Sequence, residues 1–233
     1  MSETFSYFVT CPKGTEGLLA EEIRGIGAED VIGGQAGVSL SGDLELGYRI
    51  CLWSRVASRV LLFLTGFESK TPETLYDKIR AFPWEDHLAP QNTLAVDFLS
   101  VRSEISHGRF GALKVKDAIV DRFRDQTGVR PDVDPDSPDI QVNVYLYRDE
   151  ARVSLDLSGE SLHRRGYRKS ELAAPLKENL AAAILIRARW PEVAQSGGPL
   201  LDLMCGSGTL AIEAALMAGD VAPGLLRPSI GSP

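Results

Sequence analysis

"LLDLMCGSGTL", Leu200 to Leu210, decides how this chain is read. Its opening residues are mostly apolar, its middle carries Gly206 and Gly208, and it runs on into "AIEAALMAG", which has a helical composition. The pattern predicts a short buried strand, a glycine turn and then a helix. Glycines let the backbone turn sharply and come close to a ligand. A helix starting at Thr209 directs its unpaired N–H groups at whatever occupies the turn, which favours an anionic group. Asp202, at the strand's end, can accept hydrogen bonds from an ammonium or a hydroxyl. A phosphate loop needs Gly-Lys-Ser/Thr after the turn, and no lysine follows here. Spacing alone leaves a dinucleotide turn open, because Ala211 is an allowed third position of that fingerprint, and it leaves a purely structural connection open as well.

The 233 residues are 44% hydrophobic and 24% charged, which supports a sizeable core and excludes a disordered chain. A formal charge of -7 argues against indiscriminate coating of nucleic acid but permits a local basic face. Cys11, Cys51 and Cys205 are far apart, with no C-x-x-C pair or zinc spacing, so reduced thiols and no metal site are expected. The first residues lack a basic start and an apolar run, and no stretch is apolar for the ~18 residues that span a bilayer. A cytoplasmic protein without membrane contact is the expectation; the oligomeric state is not legible.

The order of elements predicts an α+β fold. Residues 1–68 read as strand, helix, two short strands about Gly33–Gly34, helix and strand, a ferredoxin-like order. Gly27 is placed to end the first helix, and Asp43 to cap the second. In residues 69–158, Thr71 or Thr74 starts a helix, "TLAVDFLS" alternates as a strand, and "GALKVKDAIVDRFRDQTG" has helical spacing. "QVNVYLY" and "RVSLDLS" form a hairpin after a Pro/Asp-rich loop. Residues 159–170, "GESLHRRGYRKS" with its flank, show no apolar period and read as a basic connector. From 171 to 233 the chain gives a helix in "APLKENLAAAILIRARW" that stops before Pro191, and then the glycine turn. Residues 1 to about 157 are expected to form the stable body, with Ser158–Ser170 accessible. Trp53, Trp84 and Trp190 sit in apolar contexts and are expected in the core.

Two stretches carry clustered cations. "SEISHGRFGALKVK", Ser103 to Lys116, sets Arg109, Phe110 and Lys114 at a helix N-terminus with Lys116 close by, which adds to the attraction for phosphate. In "HRRGYRK", Arg164, Arg165 and Arg168 surround Tyr167, a mixture suited to phosphate contact and base stacking. The alternatives are a solvated helix face with pairs such as Lys114–Asp117, and an inter-domain salt bridge or flexible linker at 163–169.

"LLDLMCGSGTLAIEAA" resembles the first S-adenosylmethionine motif of Rossmann-type methyltransferases, in the form found in RNA guanine-N2 methyltransferases. The resemblance implies that Asp202, Cys205, Gly206, Ser207, Gly208 and Thr209 hold the cofactor, with Asp202 orienting its amino group and Cys205 a small loop residue. "LWSRVASRVLL", "FGALKVKDAIVDRFR", "RPDVDPDSPDIQVNVYLYRDEARVSLDLSGESLHRRGYR" and "APLKENLAAAI" extend it, over nearly the whole chain, to bacterial large-subunit rRNA guanine-N2 methyltransferases of the RlmL type. That family implies a THUMP RNA-binding domain ahead of a Rossmann-like methyltransferase domain, large-subunit rRNA as partner and S-adenosylmethionine as cofactor. The family's later Asn-Pro-Pro-Tyr catalytic motif and the acidic residue for the cofactor ribose are absent, so the chain is expected to be the N-terminal part of such an enzyme, without a catalytic residue and inactive alone. A stand-alone THUMP-type RNA-binding protein and a Rossmann NAD-dependent enzyme are the rival readings.

Overall fold

The computed structural model describes residues 3–168 and 176–227. They fall into two compact units, one formed by residues 1–60 with 160–230 and the other by residues 61–159.

In the first unit, β1 (Phe5–Thr10), α1 (Glu16–Ile26), β2 (Ile32–Gly34), β3 (Gly37–Gly42) and α2 (Leu44–Trp53) follow in order. β3 pairs antiparallel with both β1 and β2. Alternation turns Tyr7, Val9, Val38 and Leu40 inward, against Leu19 and Ile23 of α1. Both caps fall where their residue types predict: Gly27 closes α1 at φ 115°, and Asp43 accepts from Leu46 N at 2.9 Å to open α2.

α5 (Glu178–Arg187), α6 (Trp190–Gln195) and α7 (Thr209–Ala218) belong to the same unit. α5 packs on α7 and touches α1. The helix expected to run to Pro191 ends at Arg187 instead, because Arg189 turns left-handed at φ 60° and Pro191 sits in the first turn of the new helix α6. Trp190 donates from Nε1 to Ala214 O at 2.9 Å and packs with Leu185. Trp53, expected in the core, is 38% exposed at the last turn of α2.

The connector is part of this core. Arg165 is 2% exposed; its guanidinium donates to Leu162 O and Arg55 O, both at 2.6 Å, and faces Glu213 of α7 at 3.6 Å. Tyr167 donates its hydroxyl to the same carboxylate at 3.0 Å. Glu213 is itself fully buried, and burial pushes its carboxyl above the ordinary range against the opposing pull of Arg165 and Tyr167. Arg55 donates to Val221 O and Leu216 O, cationic support for the C-terminal end of α7. Its own backbone N–H and that of Val56 are held by Glu22 of α1. Asn179 of α5 donates to Ser58 Oγ at 2.9 Å. The expectation of an accessible 158–170 connector and a body ending near residue 157 therefore differs from the fold, which builds residues 160–168 into the unit containing residues 1–60. An unpaired acid inside the apolar face of α7 needs a buried cation, and the connector supplies it.

In the second unit, β4 (Arg59–Glu68) enters from the first and pairs from Leu61 onward with β7 (Glu150–Asp156). β7 pairs with β6 (Ile140–Tyr147), and β6 lies parallel to β5 (Leu94–Val101), giving the order β4-β7-β6-β5. Arg148 and Asp149 close the β6–β7 hairpin with φ of 51° and 64°, the sign that a tight two-residue hairpin turn requires. α4 (Gly108–Thr127) packs on the sheet at β5, and α3 (Pro72–Ala81), capped by Thr71, packs on α4. Val142, Val144, Leu146 and Val153 point into that core. Trp84, fully buried, donates to Ile79 O at 2.7 Å.

Gly111 brings α4 close to the sheet: a Cβ there would lie 2.4 Å from the Phe98 ring. Gly111→Ala gains at most about 1 kcal/mol of helix propensity. Overpacking costs about 1–3 kcal/mol, so the urea midpoint should fall, and Phe98→Leu in the same chain should restore part of it. The clamp gives a second expectation. Arg165→Ala leaves Glu213 buried without its cation and should cost about 3–5 kcal/mol, whereas the paired change Arg165→Leu with Glu213→Leu should cost less than either single change. Urea unfolding followed by tryptophan fluorescence measures both; a mild single and a severe double change would refute the clamp.

Candidate functional site

The glycine turn is built as the sequence anticipates on its helix side. Gly206 and Gly208 take positive φ of 53° and 75°, and Gly208 N donates to Cys205 O at 2.7 Å. α7 begins at Thr209, so the N–H groups of its first turn open toward the turn. Nothing lies within 4 Å of where a Cβ on Gly206 would sit, which leaves the backbone open to a ligand. Ser207 and Thr209 hydroxyls share a hydrogen bond of 3.1 Å. These residues fit a small anionic group such as a carboxylate.

The strand side differs from expectation. Leu200–Met204 is irregular, and Leu201, Leu203 and Met204 are 80%, 83% and 92% exposed. A strand of a parallel sheet is buried only when neighbours flank both edges, and among the described residues none runs beside this one. Asp202 accepts from Met204 N at 3.1 Å, a local turn contact. Leu200, Leu201, Leu203, Ile184 and Leu210 line an open apolar groove next to it. Cys205 is exposed in the loop.

The connector reaches the turn through Arg168. Its guanidinium meets Glu178 at 3.2 Å, donates to Leu176 O at 3.0 Å and to Thr209 Oγ1 at 3.2 Å. One side chain thus ties the start of α5 to the first residue of α7, where both Glu178 and Thr209 are buried. Sequence reasoning missed Glu213 and Glu178. A single acid inside "TLAIEAALMA" was the signal for the first, because an acid on an apolar helix demands a partner.

The residues expected on RNA fall in both units, Arg164, Arg165, Tyr167 and Arg168 in the first and Arg109, Lys114 and Lys116 in the second. Arg165, Tyr167 and Arg168 are engaged inside the first unit, while Arg164 pairs with Glu160 at the surface with its side chain 66% exposed. His163 is held neutral, its imidazole pushed down to about 4 by burial and by the surrounding cations. In the second unit, Arg109 is exposed at the start of α4, and Lys114 lies 5.8 Å from the Phe110 ring and 5.9 Å from the Tyr76 ring. Lys116 pairs with Asp117. The pairs along α4, including Arg124–Asp121, leave Arg109 and Lys114 as its most available cations.

Comparison with known proteins assigns these segments. Residues 6–61 match the RlmL ferredoxin-like domain, residues 69–156 the THUMP domain, and residues 165–232 the RMKL-like methyltransferase domain. The ribosomal RNA large subunit methyltransferase K/L of Syntrophotalea carbinolica is 56% identical over 99% of this chain and 32% of its own length. The chain thus spans about a third of the curated relatives it matches. Among solved structures, one described as a predicted N6-adenine-specific DNA methylase from Listeria monocytogenes superposes with a TM-score of 0.85 at 33% identity, over 98% of this chain and 59% of that one. SMU.472 in complex with SAH also gives 0.85, at 31% identity over 99% and 60%. With a ferredoxin-like, a THUMP and a methyltransferase segment in that order, the chain is similar along nearly its whole length to about a third of the ribosomal RNA large subunit methyltransferases K/L.

Proposed function

We propose that this chain is the RNA-recognising portion, with the opening of the cofactor domain, of an S-adenosylmethionine-dependent methyltransferase acting on N2 of a guanine in large-subunit rRNA. The observation that carries the reading is the turn at Gly206–Gly208, which opens α7 within the residues matched to the methyltransferase domain. The likeness to a structure holding SAH and the naming of the relatives for large-subunit rRNA support it. Gly206, Ser207, Gly208 and the first-turn N–H of Thr209 take the carboxylate of the cofactor, Cys205 lends backbone to the turn, and Asp202 takes its ammonium. When bound, the cofactor supplies an electrophilic methyl group. Arg168 keeps the base of the turn in place through Thr209.

RNA is taken by the THUMP unit through Arg109, Lys114 and Lys116, with Arg164 as the accessible cation of the connector. Arg165, Tyr167 and Arg168 act instead by fixing the connector. A guanine amino group inside a helix is out of reach of a cofactor pocket, so the target base must leave its stack. These 233 residues contain no Asn-Pro-Pro-Tyr segment to hold such a base, and positioning both reactants is what catalysis requires.

Residues 1–233 should bind large-subunit rRNA fragments with affinity that falls steeply with salt. Arg109→Ala with Lys114→Ala should flatten the slope of log K against log salt by about 0.7–0.9 per cation lost. Tritiated-methyl incorporation into unmodified large-subunit rRNA should be undetectable with residues 1–233 alone. In the complete enzyme carrying this segment, Asp202→Ala should lower it by at least about tenfold, the loss of one charged hydrogen bond of ~1.5–3 kcal/mol. Methyl found on adenine N6 rather than guanine N2, or a stronger response to NAD than to S-adenosylmethionine in a binding titration, would overturn the assignment.

A further inference from the structure

The RNA reading leaves one conspicuous surface of the second unit unexplained. Alternation on β6 buries Val142, Val144 and Leu146 under the helices and turns Tyr145 and Tyr147 to the opposite face of the sheet, where both are partly exposed. Their rings are parallel to within 5° with centroids 6.2 Å apart, and the Arg148 guanidinium stands 5.2 Å from the Tyr147 ring. Directly across from Tyr145 lie Arg152 on β7 and Leu99 on β5. Phe63 of β4 is 41% exposed and its ring lies beside Gly66, the residue opposite Arg152. The fold needs none of these large side chains to be apolar or aromatic, because the solvated face of a sheet is satisfied by polar residues.

Building on the RNA reading above, we propose that this sheet face is a stacking platform for unpaired bases, with Tyr145 and Tyr147 as the rings and Arg148 and Arg152 as the flanking cations. Every base has a π-face, and aromatic rings with arginine planes recognise it without regard to sequence. The two rings share one orientation on this face, so an unpaired base can stack on the outer face of either. Glu150 and Asp97, at the two ends of the face, keep phosphates to its middle, beside Arg152. A base-paired helix cannot use such a platform, since its bases are already stacked on one another; the ligand is a loop, bulge or single-stranded segment. α4 with Arg109 and Lys114 packs on the other face, through Phe98 and Gly111, so the two surfaces separate by mutation.

The test uses the full 233-residue chain with two probes, a short unstructured oligouridine RNA and an RNA duplex of equal length. Tyr145→Ala with Tyr147→Ala should weaken oligouridine binding by about tenfold to a hundredfold, the ~1–3 kcal/mol typical of a lost stacking partner. The salt slope and the duplex affinity should stay as in the unmodified chain, and the Tyr→Phe pair should retain binding. Arg109→Ala with Lys114→Ala should instead change the salt slope on both probes. Retention of oligouridine affinity by the alanine pair overturns the platform while leaving the RNA reading intact. Equal loss on both probes, or a lowered urea midpoint that accounts for the loss, overturns it as well, by making the tyrosines structural. Failure of the unmodified chain to bind either RNA overturns both readings. Unchanged RNA binding with lost association to a purified ribosomal protein would give the face to a protein partner.

Discussion

A carboxylate buried in an apolar helix is the constraint on which the first unit depends. Glu213 lies on α7 with no exposure to water, and a charge so placed is tolerable only with a cation and hydrogen bonds around it. Arg165 and Tyr167 supply these, and the two are separated from Glu213 by more than forty residues of chain. A well-packed apolar pair in their place would serve stability as well or better. What the ion pair adds is register: the connector docks in the one position where its guanidinium also reaches the carbonyls of Leu162 and Arg55. α7 is then fixed at its middle by Glu213, at its C-terminal end by Arg55 and at its first residue by Arg168.

This changes the meaning of the basic run. Composition marks "HRRGYRK" as suited to RNA, and on sequence alone a free surface and an internal salt bridge are both consistent with it. The difference lies in where the matching acids are. Glu213 and Glu178 lie far along the chain, in segments whose own patterns say helix, and nothing local announces that they meet the connector. Arg164 and Arg165 are neighbours of the same type, yet one is in water and the other is 2% exposed. Adjacent cations on an irregular segment carry no periodicity from which to tell them apart.

Elements fixed by local chemistry were legible. Gly27, Asp43 and Thr71 act as caps through geometry that depends on one or two turns, and the β6–β7 hairpin alternates strictly enough to show its buried set. The breaks between α5 and α6 were misplaced by a few residues because Pro191 is tolerated inside a first turn as readily as it ends a helix. Leu200–Met204 reads as a buried strand only where neighbouring strands exist, and a parallel sheet reduced to this one strand leaves Leu201 and Leu203 exposed. Trp53 was misread because an apolar neighbourhood in sequence places a residue on a helix without saying which side faces solvent.

The glycine turn therefore has one half determined and one half not. Its helix half, from Gly206 to Thr209, is held by the clamp and does not require the strand. Its strand half exposes Leu201, Leu203 and Met204. Burying each such side chain is worth about 1.5–3 kcal/mol, so flanking strands would gain several kcal/mol by pairing here. Asp202 sits in that undetermined half, where its carboxylate accepts from Met204 N. A ligand that needs both the helix N-terminus and Asp202 binds the paired arrangement only, and its apparent affinity is reduced by the fraction of molecules that adopt it. An equilibrium displaced by even about 4 kcal/mol weakens binding by roughly a thousandfold. On the proposed reading, cofactor recognition and the pairing of this strand are one thermodynamic event, whereas the strands and helices of the second unit are already paired and packed.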